Sequence, residues 1–311
     1  HTVSVTLAGS EGLTKNGNGK LTLSGANTYT GLTTLTDGNF TITSASGLGA
    51  TGSGNGTLID YTSGKYPQLH FSNNVSTAED ITMQVRVSSG TAGSTQGSNM
   101  LYIDSGTTTL SGALTVNRAT TGGTNNINLF GVQLSTGTLT LSGPISRTTT
   151  GVQASGTYTN PNLLQFRIRD TASNLHVTGA ISDGTIGTGG ITVQTSSDNL
   201  GILRLSGDNT SSGNTVHLAG TLLVNNTTGS ATGTGAVSVA SGAILGGIGT
   251  LAPTGTNGVT FASGSVVAPG DLDSSGASIA AGRSLAFNLS STSGSVVFSG
   301  GATVSINLNA A

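Results

Sequence analysis

Three aspartates have a spacing that chemistry on a repeating scaffold could use. Asp60, Asp104 and Asp170 close the strand-like runs Leu58-Ile59, Tyr102-Ile103 and Ile168-Arg169. Their positions differ by 44 and by 66, both multiples of 22. On coils of that period they stack on one face, two and three rungs apart, or roughly 10 and 14 Å. A retaining glycosidase needs its carboxyls about 5–5.5 Å apart and an inverting one about 6.5–9.5 Å. A shared Ca²⁺ needs oxygens at about 2.3–2.6 Å. The ladder is too sparse for either, and the three read as turn aspartates accepting backbone N–H groups.

The other reactive types form no constellation. Glu79-Asp80 is an adjacent acidic pair ahead of the run Ile81–Val87 and reads as a solvated loop pair. Asp271 and Asp273 follow Pro269-Gly270 and read as turn residues. His1, His70, His176 and His217 have no second His or Cys at ligand spacing, and His70 and His176 fit outward strand positions. Arg167 and Arg169 alternate with Phe166 and Ile168, so both point outward, either to bind an anionic sugar or as solvated edge charge. G-x-S-x-G and a phosphate loop are absent, and the glycine clusters Gly187–Gly190 and Gly246–Gly249 lack the Asp of a Ca²⁺-binding β-roll. No enzyme, cofactor or metal is expected.

Any site must therefore be carried by the scaffold. Of 311 residues 50 are Gly, about 16% against a usual level of roughly 7%. Only 7% are charged, 4% are aromatic, and Trp and Cys are absent. A net charge of −2 with ten scattered basic residues argues against nucleic acid. No apolar run approaches the ~18 residues of a membrane-spanning helix. The chain opens at His1 without a leader, which fits a mature secreted product or a trimmed one.

Apolar residues alternate at period two in Val3/Val5/Leu7, Leu21/Leu23, Phe40/Ile42, Val85/Val87, Leu139/Leu141, Val237/Val239 and Val304/Ile306/Leu308. Period two means one buried and one wet face, the pattern of a strand. Asn16-Gly17, Asn18-Gly19, Asn55-Gly56 and Asn257-Gly258 supply turns between the runs. The chain is all-β.

Residues 19–43 (GKLTLSGANTYTGLTTLTDGNFTIT) align without a gap with 201–225 (GILRLSGDNTSSGNTVHLAGTLLVN), ten positions being identical. A shorter core, Gly-x-x-x-Leu-Ser-Gly, recurs at 19–25, 106–112, 137–143 and 201–207. Strands this short bury a face only by stacking on the coil above and below. Coils of ~20–25 residues predict about 12 to 15 rungs and a rod roughly 60–70 Å long, a single elongated β-solenoid over residues 1–311. An antiparallel β-sandwich or jelly roll also uses short strands but does not readily produce so long a gap-free repeat.

The stretch LTLSGANTYTGLTTLTDGNFTIT resembles the autotransporter-associated β-strand repeat of bacterial passenger regions, and ILGGIGTLAPTGTNGVTFASGSVVAPGD (244–271) is similar to the segment that often follows it. Together they cover about a third of the chain. The resemblance implies a right-handed parallel β-helix, export, and display at the cell surface. It departs from a full autotransporter in that residues 281–311 hold too few alternating runs for even an eight-stranded membrane barrel.

Two functions follow from this reading. The first is a structural subunit that self-associates end to end into a filament, sheath or matrix. HTVSVTL and ATVSINL are uncapped alternating runs, which puts Val3, Val5, Leu7, Val304, Ile306 and Leu308 at subunit junctions. The second is a monomeric adhesin that binds a glycan, with Tyr29, Tyr61, Tyr66 and Tyr102 able to stack on sugars.

Overall fold

The computed structural model describes residues 1–52, 54–62, 64–87, 95–120, 127–150, 162–184, 190–271, 284–289 and 294–304. Among these residues there is no helix, and the strands form three long parallel sheets of twelve, nine and six strands, here sheets 1, 2 and 3. Within each sheet the strands follow chain order, so every turn of the chain adds one rung. This is a parallel β-helix, and the sandwich alternative is excluded because the paired strands run parallel throughout.

Register gives the coil lengths. Thr2 pairs with Thr22 and Thr22 with Thr41, so the chain advances by 20 and then by 19 positions per coil. From Thr41↔His70 to Gln165↔Gln194 the advance grows to between 29 and 34. Gln194, Val216, Ser238 and Thr260 then succeed one another at 22. The predicted coil length therefore holds near the start and again from Gln194 to Thr260, and fails in the middle and in the last coil, where Thr260 pairs with Val297 after an advance of 37. In the middle three consecutive coils carry a strand on all three faces, as in Thr95–Ile103, Thr107–Leu110 and Leu114–Thr120. The twelve strands of sheet 1 stand at the lower end of the predicted range of about 12 to 15 rungs. They span roughly 50 Å, shorter than the predicted rod of about 60–70 Å.

The two copies of the repeat lie on different faces. The first runs from Leu21–Leu23 in sheet 1 to Thr33–Leu35 in sheet 3 and back to Asn39–Ile42 in sheet 1. The second runs from Ile202–Leu205 in sheet 2 to Thr215–His217 in sheet 1 and back to Thr221–Val224 in sheet 2. The unit specifies two faces joined by one long arc and one short turn. It does not specify which two, and the three-faced middle coils carry the chain from one phase to the other.

The Ser-Gly of the repeat marks a place where backbones nearly touch. A Cβ on Gly143 would lie 1.9 Å from the carbonyl oxygen of Gly112, one on Gly179 would lie 1.8 Å from that of Gly143, and one on Gly207 would lie 2.5 Å from that of Gly179. Gly25 meets Val5 O in the same way. Only glycine allows rungs to stack at this corner. Asn27 and Asn209, identical in the alignment, clamp the arcs. Asn27 Oδ1 accepts from Leu7 N one coil below (2.9 Å), and its Nδ2 donates to Gly47 O one coil above (2.7 Å). Asn209 likewise accepts from Ile181 N (2.7 Å) and donates to Ala231 O. Both are buried, so each satisfies two backbone groups that no strand partner reaches.

The period-two pairs point inward as expected: Phe40, Ile42, Val85, Leu139, Leu141, Val237 and Val239 are buried, and Leu23 with them. The ends differ. Val3 and Leu7 pack partly against the core, but Val5 is 67% exposed, because the strand is only Thr2–Val3 and Val5 sits level with the Gly25 corner of the next coil. Val304, in the last described strand, is 51% exposed. Ile306 and Leu308 lie outside the described residues.

Candidate functional site

The outward face of sheet 1 carries a polar and aromatic band across the middle coils. Side chains on successive rungs stand one strand spacing apart, about 4.8 Å. Register places Thr41, His70, Tyr102, Gln133 and Arg167 in one row. The His70 ring stacks on Tyr102, centroids 4.5 Å apart and planes 10° from parallel. Gln68 Nε2 donates to the Tyr102 hydroxyl at 3.0 Å. His70 Nδ1 donates to Asp104 Oδ1 at 2.9 Å, and Ser72 Oγ to Asp104 Oδ2 at 3.2 Å. Burial pushes the Asp104 carboxyl up. The bond and charge of His70, the Ser72 hydroxyl and Lys20 outweigh that and hold it below the usual range.

The far end of the band is a charge cluster. Asp198 receives Arg167 through Nε at 3.0 and 3.1 Å and through Nη2, and Arg169 through Nη1 at 3.3 Å. Arg167 Nη1 also reaches Gln133 Oε1 at 3.5 Å. The Arg167 and Ser196 hydrogen bonds, against burial, hold the Asp198 carboxyl down at about 2. In the row beside that of Arg167, which passes through Gly131, Gln165 donates to Gln194 at 3.2 Å. Two guanidinium groups share one carboxylate, so the cluster keeps a surplus positive charge.

The aspartate ladder does not form. Asp60 lies within Thr57–Thr62 on sheet 3, whereas Asp104 and Asp170 follow strands of sheet 1, because the middle coils are longer than a constant period assumes. Asp60 pairs with Arg86 Nε at 2.6 and 2.8 Å and accepts from Gln84 at 2.8 Å. Asp170 is the turn aspartate it was read to be, accepting from Ala172 N at 3.1 Å. Asp271 is an ion-pair partner of Arg204 at 2.9 Å rather than a simple turn residue, and Asp273 lies outside the described residues. Arg167 lies in Asn162–Ile168, a central strand of the twelve-stranded sheet, and Arg169 directly follows it, so neither is edge charge. His70 and His176 face outward as expected, His176 Nε2 meeting Ser206 Oγ at 2.8 Å. Of the four tyrosines considered for sugar stacking, Tyr29 and Tyr61 are buried, Tyr66 is exposed, and Tyr102 lies in the band.

Two buried groups depart from what the sequence suggests. Glu79 is 1% exposed, not solvated; Thr57 Oγ1 donates to its Oε1 at 2.6 Å and its Oε2 has no partner. Burial, against the Thr57 bond and aided by Asp80, raises its carboxyl to about 7. His217 is fully buried. Its Nε2 donates to Ile244 O (2.9 Å) and Gly220 O (3.1 Å), while Nδ1 contacts Thr195 Oγ1 at 3.1 Å. Burial lowers it to about 4 despite those carbonyls. No motif marks either residue. Both follow from which side of a rung the chain presents inward.

Among the described residues no group of three His, Cys, Asp or Glu could hold a metal, and no helix is long and apolar enough to cross a membrane. The glycine corner and the asparagine clamp belong to a recognisable unit. Residues 13–42 and 199–224 match the passenger-associated-transport-repeat. This agrees with the resemblance seen in 19–43 and 201–225 and places the two repeats where the coils are short. No curated protein and no solved structure matches the chain.

Proposed function

We propose that this chain is a non-catalytic, displayed rod of the passenger type, and that the outward face of sheet 1 binds a glycan. The repeat's family implies an exported, surface-exposed protein. The observation that carries the ligand reading is the His70–Tyr102 stack, continued by amides and guanidinium groups on successive rungs. Stacked rings offer a flat apolar surface, and Gln68, Gln133, Gln165 and Gln194 offer paired donors and acceptors suited to hydroxyls. A sugar chain lying across the strands meets one such side chain per rung. Three outward acids favour binding over catalysis, because each is already engaged by a neighbouring side chain: Asp60 by Arg86, Asp104 by His70, Asp198 by Arg167.

Glycan-array binding of the purified chain tests this. Selective binding is expected, with Tyr102→Ala and Gln133→Ala abolishing it and His176→Ala on sheet 2 leaving it intact. Binding that survives Tyr102→Ala overturns the assignment of the face.

A second reading, end-to-end assembly, has one observation in its favour. Val5 is exposed beside the first rung, and Val297, Phe298 and Val304 are exposed on the last. Filaments in negative-stain electron micrographs that disappear with Val5→Asp and Phe298→Asp support it; discrete rods at every concentration refute it.

A further inference from the structure

The chain carries four Asn-Gly pairs, and one of them is surrounded by groups that promote its own rearrangement. Asn16-Gly17 lies in the exposed turn between Leu13–Lys15 and Leu21–Leu23. Gly17 has φ +75°, and its N–H donates to Asn16 Oδ1 at 2.7 Å, which folds the side-chain amide over the next backbone nitrogen. That nitrogen and Asn16 Cγ are the atoms that close a succinimide ring. The neighbours address both partners. Lys15 Nζ donates to Asn16 O at 3.3 Å, the carbonyl of the peptide whose nitrogen must lose its proton, and is anchored by Gly17 O (2.6 Å) and Asp37 O (2.8 Å). Lys15 is 6% exposed, so its charge is less screened there than on an open surface. The Thr36 hydroxyl shares its one proton between Lys15 O and Asn16 Oδ1, both at 3.3 Å, and the second is where charge develops as Cγ becomes tetrahedral.

We propose that Asn16-Gly17 is a self-modifying site, at which Lys15 stabilises the deprotonated Gly17 nitrogen and Thr36 the oxyanion on Asn16. After rotation about Cβ–Cγ, the Gly17 nitrogen bonds to Cγ and the Cγ–Nδ2 bond breaks. Nδ2 departs as ammonia with the proton that Gly17 gave up. Water then opens the ring. Cleavage at Cγ leaves an ordinary aspartyl residue in the chain, and cleavage at the main-chain carbonyl leaves an isoaspartyl link. Either product sets a new carboxylate beside the Lys15 ammonium.

The other pairs are differently placed. Asn257 is tied by Nδ2 to Thr234 O (3.0 Å) and by N to Thr254 O (3.2 Å), and Gly258 O accepts the rung bond from Val237 N. Asn55 N donates to Gly52 O, Gly56 O accepts from Thr33 N, and Gly56 itself lies under Asp80 O. Ring closure at either pair must displace paired backbone. Asn18-Gly19 is as exposed as Asn16-Gly17, but the Lys15 and Thr36 contacts above are made to Asn16 and Gly17.

Peptide mapping by mass spectrometry of the folded chain aged at physiological pH and temperature, beside the same chain in urea, tests the proposal. In the folded chain Asn16 converts about tenfold faster than Asn55 and Asn257, the effect of roughly 1.4 kcal/mol on a barrier. Lys15→Met and Thr36→Val each slow it toward the rate of Asn18, while Thr36→Ser, which keeps the hydroxyl, restores it. In urea the four pairs converge, since local sequence alone then governs. The proposal is overturned if folded Asn16 converts no faster than Asn257, or no faster than Asn16 in urea. Thr36→Val guards the test against loss of fold in Lys15→Met, and a rate unmoved by Thr36→Val removes the oxyanion role.

Discussion

Acidification from pH ~7 to ~4.5 should leave this rod almost unchanged, because two buried groups respond to it in opposite directions. Glu79 titrates at about 7 in the fold against 4.5 outside it. Its folded pKa is raised, so its stabilising contribution is present at low pH and is lost as pH rises from 4.5 through 7. His217 titrates at about 4 against 6.5. It is buried neutral, with Nε2–H committed to two carbonyls and Nδ1 facing Thr195 Oγ1, which already accepts from Leu218 N at 2.8 Å. Unfolding therefore takes up a proton in that interval, and the stability His217 contributes is lost as pH falls from 6.5 toward 4. Each group ties on the order of 3 kcal/mol to its protonation state. Over pH ~4.5–7 the two contributions offset, and His176, lowered by burial and by Arg204 against Asp271, adds in the direction of His217. Urea unfolding followed by far-UV circular dichroism across that range is the assay, in wild type, Glu79→Gln and His217→Gln. Wild type should be nearly flat, Glu79→Gln should lose about 2–3 kcal/mol on acidification, and His217→Gln should gain a similar amount. Equal pH slopes in all three proteins would refute the reasoning.

Gly143→Ala forces a Cβ to 1.9 Å from Gly112 O and should cost more than about 4 kcal/mol or prevent folding, whereas Gly300→Ala, with nothing within 4 Å, should stay within about 0.5 kcal/mol in thermal melts. Asn209→Ala strips the hydrogen bonds of Ile181 N and Ala231 O and should cost about 2–4 kcal/mol by urea unfolding; a loss under about 1 kcal/mol would show that the clamp is dispensable.

Several features were legible in the residues alone. Alternation of Phe40 with Ile42 and of Val237 with Val239 is a statement about adjacent side chains, so it identifies strands without reference to the fold. The gap-free match of 19–43 to 201–225 likewise identifies a unit that stacks, and the Ser-Gly and Asn within it proved to be the corner and the clamp. The candidate site was not legible. His70 and Tyr102 meet across one full coil, and their separation along the chain has no meaning until the length of that coil is known. The same uncertainty misplaced the aspartates, which a constant period of 22 put on one face.

By itself, then, the sequence determined an all-β, stacking chain with two passenger-type repeats, because strand period and turn residues act over a few neighbours. The tertiary structure decided which of three faces each repeat occupies, that Glu79 and His217 go inside, and that His70, Tyr102, Gln133 and Arg167 share a row. Those outcomes depend on the summed lengths of arcs between strands. A single insertion in an arc shifts everything after it around the rod, and no local pattern records that sum.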